Sequence, residues 1–111
     1  MTLNELQDTS YRISKEHGFY DAPQTVGDRL MLMVSELAEA LEEFRCGHGI
    51  SEIYYNQEKP GKPEGIPIEL ADAVIRIGDF CGAYGIDLEN AVVLKTRFNE
   101  TRSYRHGNKK L

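Results

Sequence analysis

Several absences narrow what this chain can be. It has no excess of positive charge: the formal net charge is −5, which argues against a general nucleic-acid binder or membrane-surface binder. It has no apolar run approaching the roughly 20 residues that a membrane span needs. Its first residues, MTLNELQDTS, are polar and acidic and so do not resemble a signal peptide. It has only two cysteines, Cys46 and Cys81, in no metal or redox motif, and these fit reduced thiols in a cytoplasmic protein. Its three histidines, His17, His48 and His106, fall outside its acidic motifs. That argues against a four-helix di-iron carboxylate centre, which uses Glu-x-x-His on two helices.

What remains is ordinary for a soluble globular chain: 41% hydrophobic and 28% charged residues over a length of 111. That length supports one domain, 1–111, with a core small enough for subunit association to help it. The pattern predicts an all-α, four-helix bundle-like subunit with no strand. The first helix runs from about Thr2 to His17; Thr2 and Glu5 form a capping box, Gly18 is a stop, and Leu3, Leu6 and Ile13 share a face. The second runs from about Gln24 to Arg45 and ends at Gly47. Pro67 opens the third, which reaches Tyr84 and stops at Gly85. Asp87 caps the fourth, which carries Leu88, Ala91, Val92, Leu94 and Phe98 and ends near Arg102. A long loop, about 46–66, separates helices two and three; it is a surface loop, or a flap or arm reaching a neighbour. A basic tail, about 103–111, reads as a solvated terminus.

The notable feature is a near repeat. ELAEAL at Glu36–Leu41 returns as ELADAV at Glu69–Val74. At roughly 100° per residue, Leu30, Met33, Leu37, Ala40, Leu41 and Phe44 form one stripe of helix two, expected to be core, with Glu36, Glu39 and Glu43 on a strip beside it. In helix three the expected core stripe is Leu70, Ala73, Val74, Ile77, Phe80 and Cys81; Glu69, Asp72, Arg76 and Asp79 form the adjoining strip. Both helices carry apolar residues over more than one face, which predicts subunit packing.

Carboxylates three residues apart share a helix face. If helices two and three are neighbours, Glu36, Glu39, Glu69 and Asp72 converge on one small volume. Crowded like charges cost stability unless a divalent cation sits among them, and an all-oxygen site suits Mg²⁺ or Mn²⁺. On helix four, Lys95, Asn99 and Arg102 share a face, followed by Arg105, His106, Lys109 and Lys110. That face suits a phosphate-bearing substrate, with Lys as a point charge and Arg as a fork. Tyr11, Phe19, Tyr20, Tyr54 and Tyr55 could stack on a base, although core packing explains each as well.

With these residues in place, the chain resembles the MazG-like all-α nucleoside triphosphate pyrophosphohydrolases. Their signature is E-E-x-x-E on one helix and E-x-x-D on a later one; here the first is Ser35-Glu36-x-x-Glu39 and the second Glu69-x-x-Asp72. The stretch KTRFNETRSYRHGNKK is similar to the subgroup pattern of Lys, Asn and Arg before Arg-His-Gly. The resemblance implies Mg²⁺-dependent hydrolysis of a nucleoside triphosphate, including deoxy or modified nucleotides, to the monophosphate and pyrophosphate. It implies Glu36, Glu39, Glu69 and Asp72 as metal ligands, and nucleotide contacts from Lys95 and Asn99. It also implies a homodimer or homotetramer with no nucleic-acid or membrane partner. The family's first Glu is Ser35 here, a poor base, so Glu43 or Asp79 becomes the candidate proton acceptor. The rival expectation is a catalytically inactive helical module that binds nucleotides or a protein partner.

Overall fold

The computed structural model describes residues 1–102. Four helices dominate: α1 (Leu3–Glu16), α2 (Val26–Arg45), α3 (Ile66–Tyr84) and α4 (Leu88–Thr101). The chain is all-α in character. One correction to the expected absence of strands comes from the long loop, which pinches into an antiparallel pair, β1 (Tyr54–Tyr55) and β2 (Pro63–Glu64), with Tyr54 opposite Glu64.

Local chemistry explains the helix ends. Thr2 and Glu5 cap α1 reciprocally, and Thr25 and Asp28 do the same for α2. Asp87 accepts from the Asn90 N–H to open α4. Gly65 precedes α3 with φ of 124°, and a Cβ there would collide with the Glu52 carbonyl, so only glycine fits where the loop joins α3.

α3 is the centre of the fold. α1 packs on one side of it and α2 on another. Gly78 and Gly82, one turn apart, let α1 approach closely: a Cβ on Gly82 would lie 2.5 Å from the Tyr11 Cβ. α4 adjoins α1 mainly at its start, where Asn4 donates to Glu89, and Gln7 donates to the Ile86 carbonyl and accepts from the Leu88 N–H. Beyond Glu89, every described residue of α4 is exposed.

The core is small; the stripe expected in the core on α2 largely faces outward, while that on α3 is mostly covered. Among the described residues the buried apolar side chains are Ala40, Ala73 and Cys81. On α2 it is Arg29, Leu32, Met33, Ser35, Glu36, Ala40 and Glu43 that are buried or half-buried. Leu30, Leu37, Leu41 and Phe44, expected in the core, point away, with Phe44 59% exposed. On α3, Leu70 and Val74 are likewise exposed, while Ala73, Ile77, Phe80 and Cys81 are covered. The acidic strips, not the aliphatic ones, meet between α2 and α3. The physical reason is that an apolar stripe looks the same whether its partner lies within the chain or outside it. A radius of gyration of 16.7 Å agrees with an open arrangement, since a compact chain of this length has about 13 Å. Among the described residues no helix is long and apolar enough to cross a membrane.

Candidate metal centre

α2 and α3 bring their acidic motifs face to face. Carboxylate oxygens of Glu36, Glu69 and Asp72 all lie within 4.8 Å of one another. Glu36 is 7% exposed. Glu39 is exposed at the edge of this group, near enough to Glu69 to perturb it. All four predicted ligands therefore meet in one place, three in the cluster and one at its rim.

Electrostatics there are unfavourable for the bare carboxylates. Burial, reinforced by the nearby Glu39 and Glu36 side chains and the charge of Asp72, pushes the Glu69 carboxyl up to about 8. Asp72 is also raised, by burial first and by the charge of Glu36, while Arg76 and Lys62 pull it back down. Glu69 Oε2 is sealed from solvent and has no hydrogen-bond partner among the described residues. An orphaned buried acceptor is costly. Three oxygen donors of this kind, one of them unsatisfied, fit a hard divalent cation such as Mg²⁺ or Mn²⁺.

One cation is already present within the chain. Arg76 lies one turn beyond Asp72 and donates through Nε to Glu36 Oε1 at 2.7 Å. Its position on the acidic strip of α3 was visible in the sequence, but its partner was not. Lys62, from the loop beside β2, is a second cation near the carboxylates among the described residues; no periodicity marks it out.

The carboxylates form a wall between two clefts. The larger, about 350 Å³, is lined by Glu39 and Glu69 together with Glu42, Glu43, Glu64, Lys62, His48 and Tyr54. The smaller, about 250 Å³, is lined by Glu36 and Asp72 together with Ser14, Phe19, Ile75, Arg76 and Asp79.

The candidate bases are both engaged. Glu43 accepts from the Tyr54 hydroxyl at 2.8 Å and lies 3.5 Å from His48 Nε2. That hydrogen bond, with burial adding, pushes the Tyr54 phenol up to about 12. Asp79 accepts from Ser14 at 2.7 Å and from Tyr20 at 2.6 Å. Burial and the Asp79 carboxylate hold the Tyr20 phenol far above its ordinary range. Ser35 donates to the Leu32 carbonyl at 2.6 Å, so its hydroxyl is spent inside its own helix.

The expected phosphate contacts are elsewhere. Lys95, Asn99 and Arg102 are exposed on α4, and within one chain the structure does not bring them to the carboxylates. Lys95 and Arg102 instead flank the Phe98 ring, at 4.9 and 5.6 Å from its centroid. Arg105, with His106, Lys109, Lys110 and the tail, lies outside the described residues. Comparison of the chain with protein-family models, curated proteins and solved structures finds no match.

Proposed function

We propose that this chain is a metal-dependent nucleoside triphosphate pyrophosphohydrolase, releasing pyrophosphate and the nucleoside monophosphate. The observation that carries the proposal is the convergence of the two acidic motifs on a buried, unpartnered carboxylate oxygen between two clefts. Glu36, Glu69 and Asp72, with Glu39 at the rim, would hold Mg²⁺ or Mn²⁺. The bound ion supplies charge neutralisation at the phosphates and an activated water for attack at the α-phosphorus.

The chain's own groups divide the remaining work. Arg76 balances Glu36 and fixes its orientation. Lys62 places a positive charge in the larger cleft, where the polyphosphate would lie. Glu69 would give up its proton to serve as one of the carboxylates that hold the ion. Glu43 is the better placed proton acceptor of the two candidates, since it lines that same cleft.

The aliphatic stripe of α2 supports a homodimer or homotetramer. Leu30, Met31, Val34, Leu37, Leu41 and Phe44 form a contiguous exposed face of the kind that associates in water. In such an assembly the projecting α4 would carry Lys95, Asn99 and Arg102 to a neighbouring protomer's substrate, where they neutralise and orient the triphosphate.

Incubating the protein with each nucleoside triphosphate and Mg²⁺, and identifying products by mass, tests the activity. Monophosphate plus pyrophosphate is expected. Release of inorganic phosphate, or no turnover at all, would sink it. A second reading, an inactive nucleotide-binding or protein-binding module, draws on Ser35 and on the engagement of both candidate bases. It predicts nucleotide binding without products in the same experiment.

A further inference from the structure

We propose that the smaller cleft is a nucleobase subsite, in which Phe19 is the stacking platform and Asp79 selects a base that presents an amino group. The proposal deepens the pyrophosphohydrolase reading and rests on it for the identity of the ligand.

Position comes first. Two of the cleft's lining residues, Glu36 and Asp72, belong to the carboxylate cluster. A nucleotide whose phosphates sit at that cluster has these two clefts open to its base. The larger cleft is lined by five carboxylates, those of Glu39, Glu42, Glu43, Glu64 and Glu69. Its one aromatic ring, Tyr54, is already stacked on His48, with centroids 4.4 Å apart and planes 10° from parallel. Its cation, Lys62, suits a polyphosphate.

The smaller cleft has the opposite character. Phe19, in the turn after α1, is 45% exposed, and Ile75, on α3, is exposed in the same cleft. Arg76 lies 5.8 Å from the Phe19 ring centroid while its Nε holds Glu36. An aromatic ring left open beside a guanidinium and an aliphatic side chain is the usual lining of a slot for a flat ring.

Asp79 supplies direction. Ser14 donates to its Oδ2 and Tyr20 to its Oδ1, which fixes the carboxylate between α1 and the following turn. Tyr20 is itself held by Arg29, 4.2 Å from its ring centroid, and by the edge-on ring of Tyr11. A carboxylate is acceptor-only, and each oxygen keeps lone-pair capacity after one hydrogen bond. A fixed acceptor at the wall of the slot welcomes an exocyclic amine and repels a carbonyl. Cytosine or adenine would therefore be preferred to uracil or thymine. The Ser14–Asp79–Tyr20 network also ties the turn to the helices, but that role alone does not require an uncovered phenylalanine beside it.

The test uses nucleosides, without phosphate or metal, on the full chain. Cytidine and uridine are titrated while backbone and side-chain NMR shifts are followed. Cytidine is expected to shift Ser14, Phe19, Ile75 and Asp79, with uridine weaker. Phe19→Ala, a substitution at an exposed position, should weaken cytidine at least about fivefold. Asp79→Asn, which can donate, should move the preference towards uridine; a matching shift spectrum checks that it is folded. Shifts confined to His48, Tyr54 and Lys62, no shift at millimolar nucleoside, or unchanged preference in both variants would overturn the proposal. Pyrophosphate release alongside any of those results leaves the activity standing and removes only this subsite. Nucleoside binding at Phe19 without turnover does the reverse.

Discussion

The proton on Glu69 makes metal binding measurably dependent on pH. Its carboxyl is pushed up to about 8, so near neutral pH it is mostly protonated. A cation must displace that proton to use the oxygen. One pH unit below its pKa, only about a tenth of the group is ionised, a handicap of about 1.4 kcal/mol in metal affinity. The apparent affinity for Mg²⁺ should rise about tenfold per pH unit between about pH 6 and 8 and level off above that. Calorimetry in two buffers of different ionisation enthalpy should count about one proton released per metal near neutral pH, and almost none near pH 9. The same group acts in the opposite sense on the metal-free fold. Its folded value lies above the unfolded carboxylate value, so its contribution to stability is complete below the unfolded pKa and is lost as pH rises through about 8. Allowing for solvent screening at the cleft, the loss should be on the order of 2 kcal/mol. A Mg²⁺ affinity that is flat across this range, with no proton release, would refute the assignment of Glu69 as a buried ligand.

Two of the candidate ligands should respond differently to neutralisation. Asp72→Asn relieves like-charge repulsion and should raise the metal-free melting temperature while abolishing Mg²⁺ binding and turnover. Glu36→Gln strands Arg76 and should cost about 1–3 kcal/mol in denaturant titration. Gly82→Ala forces a methyl against Tyr11 and should destabilise by about 1–3 kcal/mol despite the better helix propensity of alanine; a variant as stable as the parent would show that α1 is not so tightly seated. Phe44→Glu, on the exposed stripe, should lower the mass seen by light scattering towards the 12.6 kDa protomer, and a wild-type protein already at that mass would remove the case for assembly. Lys95→Ala should lower kcat/KM at least about tenfold while calorimetric Mg²⁺ affinity holds; unchanged kcat/KM would mean α4 does not reach a substrate.

The helices were legible because their end signals are local. Thr2 with Glu5 and Asp87 before α4 act within one turn, as does Thr25 with Asp28, a pair that starts α2 at Val26, two residues after the expected Gln24. The convergence of Glu36, Glu69 and Asp72 was also legible, because the repeated spacing gives both helices the same acidic strip. The outward direction of the apolar stripe of α2 was not. Periodicity reports that Leu37 and Glu36 lie on different faces; it does not say which face meets α3. The Tyr54–Tyr55 and Pro63–Glu64 pair is too short for alternation to register. Arg76 carried a signal, four residues after Asp72 on the same strip, but its ion pair with Glu36 crosses 40 positions of sequence. The projection of α4 depends on tertiary contacts at Asn4 and Gln7 that no local pattern encodes.

The outward stripe of α2 also sets how the chain responds to heat. Unfolding raises heat capacity in proportion to the apolar surface newly exposed. A protomer that buries little beyond Ala40, Ala73 and Cys81, with Leu37, Leu41 and Phe44 already wet, has little such surface left to expose. Its melting by itself should be broad, with a small heat-capacity step and a shallow dependence on urea. Covering the stripe restores the missing increment, so the sharpness of the transition becomes a gauge of how much of α2 is covered.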